Sequence, residues 1–373
     1  MQAARAVSRL LLPRSNGWRK DFNHLLATRP FTISLLTDRD EGAWDEYVLR
    51  SPFGSPFHQT AWKKAIAETF GYRPLYLMAR EKERVLGVLP LFVIENIIVR
   101  RALLSIPFAV YGGVLADSPA VQTALREQVR TIGEALEVEY VELRNGHPEQ
   151  CLGFSEVNRY VTFTQEIGAD EQQIAESIPR KTRYMVRKSL KHGFTTEIQN
   201  GPTKAFKNLY ARSLQRLGTP SFPASFFAAL SRYFGAQMDV REVKLEGKVV
   251  SSVLTFFFRD QVLPYYGASD PEYNALAPNN FMYYDLMCWG GRQGYRVFDF
   301  GRSKKNIGGS YDFKAHWGMT ERPLPYEILL VKRKELPNFS PANPVFDWPR
   351  KLWQQMPAGI ARAVGPWFLR LVP

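Results

Sequence analysis

The chain carries one α/β plan twice. LYLMAREKERVLGVLPLFVI in the first half is answered in the second by DVREVKLEGKVVSSVLTFFF, PFAVYGGVLAD by VLPYYGASD, and YVELRN by RVFDFGRS after a helix near Asn279–Gly291. The offset stays near 155 to 165 residues, with Tyr111-Gly112 facing Tyr266-Gly267 and Val141 facing Val297. Self-similarity of this kind restricts the chain to two copies of one unit. Each copy reads as helices, an antiparallel meander, a helix and a further strand, which is a mixed sheet flanked by helices. The length of 373 residues suits two domains with tails.

The folded part is expected to begin at Phe31, where FTISLLT alternates apolar and polar residues before a helical segment around Trp44 to Val48. A second helix follows in GSPFHQTAWKKAIAETFGY, with Thr60 as a cap, Trp62, Ile66 and Phe70 at helical spacing, and Gly71 as its stop. PLYLMAR, RVLGVLPLFVI and LLSIPFAVYGGVL read as strands, Pro119 to Leu136 as a long helix, and YVELR as a buried strand. The expected division is a basic segment 1–30, a first domain 31–160, a second domain 161–336 and a basic aromatic tail 337–373.

The formal charge of +13 is unevenly placed: residues 1–30 carry +5, residues 180–192 carry +6 and residues 348–373 carry +4, leaving −2 for the remainder. Such confinement points to specific anionic contacts and away from a general DNA- or RNA-coating surface, and no nucleic-acid module is recognisable. Cys151 and Cys288 are the only cysteines, too few for a disulfide framework or a multi-thiolate site, and the five histidines lack metal-ligand spacing. No metal is expected. No apolar run reaches the length of a membrane span. Residues 1–30 lack a signal-peptide core; their arginine-rich, acid-poor make-up leaves a transit peptide or a disordered start open.

Three segments of the second copy carry chemistry. In IPRKTRYMVRKSLKHGF, a helix would place Arg180, Arg183, Arg187 and Lys191 on one stripe and turn Met185, Val186 and Leu190 to the core. Such a stripe suits a diphosphate or an RNA backbone, or it is a solvated face. In YYGASDPEYNALAPNNFMYYDL, Tyr265, Tyr266, Ser269 and Asp270 end a strand and could orient an acceptor. Equally, the tyrosines could be packed and Asp270-Pro271 a plain turn. FDFGRSKKNIGGSYDFKAHWG joins a strand bearing Asp299 and Arg302 to a Phe313-Lys314 pair. Asp299 could accept a proton from an attacking amine or hold Arg302; Lys314 could pair with Asp312.

In this order and spacing, the three segments resemble the C-terminal half of Fem-type peptidyltransferases and their acyltransferase relatives. The likeness runs from Phe31 to Lys334 and is strongest from Pro179 to Gly318. More narrowly, the chain looks like the Fem-like proteins of exosortase and PEP-CTERM exopolysaccharide systems. The resemblance implies two tandem GNAT-like domains, each a mixed, mostly antiparallel sheet flanked by helices. It implies an acyltransferase that forms an amide on an amine of an envelope or exopolysaccharide precursor, with no bound cofactor. The donor it implies is an activated acyl group, leaving aminoacyl-tRNA or an acyl thioester open. It places the Phe-Lys pair at the reaction centre, with Lys314 contacting the donor and offsetting oxyanion charge. SDPEYNALAPNN lacks the glycine-rich pyrophosphate loop of ordinary GNAT enzymes, which weighs against coenzyme A.

No Ser-His-Asp, Cys-His or P-loop pattern is present, so a covalent acyl-enzyme or ATP hydrolysis is not expected. The tail WPRKLWQQMPAGIARAVGPWFLRLVP joins aromatic and basic residues. It either lies on an anionic membrane or packs over one lobe. The expected location is cytoplasmic, with a peripheral contact to the inner membrane in the first case. A rival reading is a non-catalytic module that binds diphosphate-linked sugar precursors in an export system.

Overall fold

The computed structural model describes residues 30–305, 308–337 and 347–371; nearly all of the basic segment 1–30 lies outside them. The chain divides into two compact units. Of the described residues, the first contains 30–158, 324–337 and Leu371; the second contains 159–305, 308–323 and 347–370. Residues 324–337 thus fall outside the contiguous 161–336 expected for the second domain, because the later part of a strand, Thr320–Leu330, pairs through Glu327–Leu330 with Tyr140–Leu143.

The first unit contains β1 (Thr32–Leu35), α1 (Glu41–Arg50), α2 (Thr60–Phe70), β2 (Arg73–Pro74), β3 (Leu77–Glu81), β4 (Arg84–Leu89), β5 (Phe92–Asn96), β6 (Arg100–Leu104), β7 (Leu115–Ala116), α3 (Pro119–Ala135) and β8 (Tyr140–Leu143). One sheet runs β1-β3-β4-β7. In the other, β5 and β6 are antiparallel while β6 and β8 run parallel. Pro90 explains the break between β4 and β5: it has no N–H for a ladder, and the chain changes sheets there. Helix α3 starts at Pro119 with the Ser118 hydroxyl accepting from the Val121 N–H, and buries Val121, Leu125, Val129 and Ile132 at helical spacing. Thr60, expected as a cap, is the first residue of α2 and bonds Asp45 instead (Oγ1 to Oδ2 2.6 Å). Gly71 ends that helix at φ +70°.

The second unit begins along β9 (Ser155–Glu166) and continues through α4 (Glu171–Ser177), α5 (Arg180–Ser189), β10 (Thr195–Gln199), α6 (Lys204–Arg216), α7 (Ala224–Phe234), β11 (Met238–Leu245), β12 (Lys248–Phe258), β13 (Gln261–Ser269), α8 (Pro278–Arg292), β14 (Val297–Lys304) and α9 (Gly309–Ala315). After β15 (Thr320–Leu330), helices α10 (Asp347–Gln355) and α11 (Ala358–Leu369) close the chain. The sheet order is β10-β11-β12-β13-β14-β9, antiparallel except for β13 and β14.

The duplication holds in element order, giving the two tandem GNAT-like domains expected: β3, β4 with β5, α3 and β8 match β11, β12, α8 and β14. It fails at one place. The segment answering β13 is a loop after β6, with Ile106 and Phe108 at positive φ, so Tyr111 is not a strand residue as Tyr266 is. Each unit has its own apolar core, one around Leu77, Leu103, Val129 and Val141, the other around Phe163, Val253, Leu286, Phe298 and Trp317.

Helix α8 sits against the turn after β9 through Gly291, where an added Cβ would lie 2.2 Å from the Gly168 carbonyl oxygen. Backbone cannot yield as a flexible side chain does, so Gly291→Ala should lose about 1–3 kcal/mol of stability. Urea unfolding of the purified variant checks this; an unchanged midpoint would show that α8 can shift without penalty.

Candidate active site

Strand β14 bends where it meets β9. The register shifts between Asp299 and Arg302, and Gly301 takes φ +65° in the resulting bulge. Asp299, buried, braces the bend: its Oδ1 accepts from the Gly301 N–H at 2.7 Å and from the Thr162 hydroxyl of β9 at 3.0 Å. On the other side, β13 and β14 pair in parallel only at Gln261 with Val297 and Val262 with Phe298. Beyond that point the ladder stops, although β13 runs to Ser269 and β14 to Lys304. Backbone groups released from a ladder must find other partners.

Lys314 supplies them. From the half-buried side of α9, its Nζ donates to three successive carbonyls of the bulge, Phe300 at 2.6 Å, Gly301 at 3.0 Å and Arg302 at 3.0 Å. All three ammonium protons are therefore engaged. Burial pushes its pKa down to about 8; the Asp299 carboxylate partly opposes this and the Arg302 guanidinium adds to it. Phe313 packs against Tyr283, Phe300 and Trp317 and fixes α9 on the strand. Arg302 lies over the Tyr160 ring at 4.5 Å.

The basic segment meets this assembly. Thr182 of α5 donates to the His316 carbonyl at 2.5 Å, and Gly318 abuts Pro179 so closely that a Cβ would sit 2.6 Å from its ring. The expected stripe divides, however. Arg180, Arg187 and Lys191 are exposed and make no hydrogen bond or ion pair among the described residues. Arg183 turns back to the end of α4, donating to the Ile178 carbonyl at 2.9 and 3.2 Å and to the Glu176 carbonyl at 3.0 Å. Leu190, expected in the core, is 50% exposed because α5 ends at Ser189 and a 3-10 turn carries the chain outward; Val186 is buried.

A contrast follows for two arginines of one helix. Arg183→Ala should lower the unfolding midpoint by about 1–3 kcal/mol equivalent, since it uncaps two carbonyls, and Arg187→Ala should leave it within about 0.5 kcal/mol. Chemical denaturation of the pair checks this, and equal losses would overturn the division.

The residues singled out at the end of β13 are engaged in packing and turn formation. Tyr266 is buried among Tyr210, Phe222, Phe226 and Phe227, with Tyr265 against it at 4.7 Å. Burial, then the neighbouring tyrosines, drive its pKa well above the ordinary phenol value. Ser269 accepts from Asn279 at 3.0 Å, and Asp270 caps the following 3-10 turn through the Glu272 N–H at 3.2 Å. Sequence favoured these hydroxyls because polar side chains at a strand end are common in sites; here packing and turn formation use them. Thr162, Thr182, Tyr283 and Trp317 escaped sequence reasoning, since only the folded register brings them to Asp299, His316 and Phe313. Both cysteines are poor nucleophiles, their thiols pushed up to about 11 by burial.

Residues 180–315 match the family described as acetyltransferase (GNAT) domain, the segment that contains α5, the β14 bulge and α9. The chain is also similar to solved structures. The FemX structure is 16% identical, covering 81% of this chain and 98% of that one with a TM-score of 0.62. The C-terminal domain of a protein assigned as lysylphosphatidylglycerol synthetase from Agrobacterium fabrum is 11% identical, covering 79% and 92% with a TM-score of 0.54. L-PGS from Bacillus licheniformis is 12% identical, covering 87% and 99% with a TM-score of 0.51. At these identities the likeness concerns the fold. No curated protein sequence matches the chain.

Proposed function

We propose that this protein is a Fem-like N-acyltransferase or aminoacyltransferase that forms an amide on an amino group of a cell-envelope or exopolysaccharide precursor. The observation that carries the reading is the convergence, inside the GNAT-matching segment, of a diverging strand pair, a charged lysine at its bend and an exposed cationic helix tied to the same turn. The likeness in fold to FemX and L-PGS supports an envelope-related acceptor, and the sequence resemblance favours the exopolysaccharide-associated branch.

In this reading the neutral amine attacks the carbonyl carbon of an ester or thioester and the oxygen gains negative charge; as the C=O re-forms, the C–O or C–S bond to the carrier breaks and the proton given up by the amine nitrogen leaves on the departing alkoxide or thiolate. The acyl donor lies extended where β13 and β14 part. Lys314 stabilises the oxyanion by exchanging one bulge carbonyl for it, a charge-assisted interaction in a poorly hydrated place. Asp299 holds the bulge, and with Oδ1 already accepting twice it is a positioning group more than a base. Arg180, Arg187 and Lys191, with Tyr184 67% exposed beside them, suit a phosphate-bearing carrier with a stackable base. Aminoacyl-tRNA is favoured over coenzyme A: α8 opens on Pro278, which offers no N–H, and Asn279 turns inward to Ser251 and Ser269.

The test is mass spectrometry after incubation with aminoacyl-tRNA or acyl-CoA donors and nucleotide- or lipid-linked amino sugars. A new acyl or aminoacyl mass on the acceptor, lost in Lys314→Met, is the expected result. Intact donors together with tight binding of a diphosphate-linked sugar would replace the enzyme with a binding module.

A further inference from the structure

The C-terminal helices satisfy one face and leave another without a partner among the described residues. Trp353, Ala361 and Leu369 are buried, and the hairpin is pinned to α6 and the loop after it by four polar or close contacts. Gln354 donates to the Arg216 carbonyl at 2.9 Å, Gln215 to the Met356 carbonyl at 2.5 Å and Arg362 to Asn208 Oδ1 at 3.0 Å, and a Cβ added at Gly365 would lie 3.4 Å from the Ser221 nitrogen. The tail therefore packs over its own unit. Yet Leu352, Ile360, Trp367 and Phe368 remain 50%, 53%, 58% and 42% exposed. Ile360, Val364 and Trp367 follow helical spacing along one stripe of α11, and Phe368 meets Trp367 edge-on at 5.0 Å.

We propose that this face docks on the surface of an anionic lipid bilayer. Charge selects the occupant: between Trp348 and Leu371 there are four basic residues and no acidic one, and Lys351, Arg362 and Arg370 are exposed around the apolar stripe. Apart from Asp347 at the start of α10, the hairpin is free of acidic residues, and cations beside an exposed tryptophan match a negatively charged interface, where the indole sits at the headgroup level and the cations meet lipid phosphates. Length sets the orientation. The 12 residues of α11 span about 18 Å, short of the roughly 30 Å of hydrocarbon, and no helix of the described residues is long and apolar enough to cross a membrane. The helix must lie flat, its stripe in the headgroup region. Docking of this kind would hold the protein beside lipid-linked acceptors, but it does not depend on the acyltransferase reading.

The experiment uses the full chain and flotation with vesicles of phosphatidylcholine alone or phosphatidylcholine with one third phosphatidylglycerol. Flotation with the anionic vesicles only, weakened by salt, is expected. Ile360→Ser combined with Trp367→Ser should reduce it at least about ten-fold without altering the thermal midpoint, because both side chains already face water. Lys351→Glu with Arg370→Glu should reduce it on anionic vesicles. Failure of the wild type to float, equal flotation on both vesicle types, or undiminished flotation of the serine variant would overturn the proposal. A dimer in sedimentation that the serine variant dissolves, without vesicle binding, would reassign the face to a second copy of the chain.

Discussion

Lys314→Met should lower the rate of acyl transfer by about 10²–10³-fold, the usual consequence of removing one preorganised oxyanion partner, while the protein stays folded. The substitution keeps the aliphatic stem and removes the three donors that hold the Phe300, Gly301 and Arg302 carbonyls. Charge and bulge geometry are separable through pH. Burial sets the folded pKa at about 8 against 10.5 for an ordinary lysine. Between those values the unfolded chain binds more protons than the folded one, so stability should rise with pH across that window as the cost of burying the charge is relieved. Activity should move the other way, falling above about pH 8 as the ammonium is lost. A wild type whose activity stays flat through pH 8–10, or a folded methionine variant with full activity, would remove Lys314 from the chemistry and leave it as a brace of the strand.

Trp317→Ala should cost about 3–5 kcal/mol of unfolding free energy, among the largest effects available to a single core substitution. Its side chain is fully buried against Phe300, Phe313 and Tyr283, where α9, α8 and β14 meet. Its indole N–H, however, has no acceptor among the described residues. Trp317→Phe removes that unsatisfied donor along with part of the volume, so the two effects oppose each other and the loss should be less than half that of alanine. Urea titration of both variants reads the difference. Both variants lack the indole N–H, so the difference reports the ring volume that phenylalanine keeps, and equal losses would mean that a phenyl ring does not pack in this space. Because Phe313 rests on this ring, the alanine variant should also lose transferase activity in proportion to local unfolding near Lys314.

Much of this could be read from residues in order. Apolar spacing located α2, helices were expected where α3 and α8 lie, the Gly71 stop was visible, and the duplicated strand pattern required two α/β units. Phe313 and Lys314 stood out as a pair, and the acid-free run forms a helix over Arg180–Ser189 and a 3-10 turn after it, with Arg180, Arg187 and Lys191 exposed and without a hydrogen bond or ion pair among the described residues. Local pattern was a poorer guide where a side chain's partner is remote. Arg183 shares the stripe of Arg187 but is drawn to the end of α4, and Tyr266 is enclosed by rings from α6 and α7. RVLGVLPLFVI read as strand throughout, but the structure breaks it at Pro90 and moves the chain from one sheet to the other.

Sequence alone determined the repeated unit, the helix and strand periods and the places where charge is concentrated, because each depends on residues within a few positions of one another. Tertiary structure decided which polar groups are consumed by the fold. Thr162 reaches Asp299 across 137 residues and Thr182 reaches His316 across 134, and the bulge that gathers three carbonyls around Lys314 exists only when β14 is held between β9 and the diverging β13. Register between distant strands is set by the packing of whole faces, a collective property that no single segment encodes.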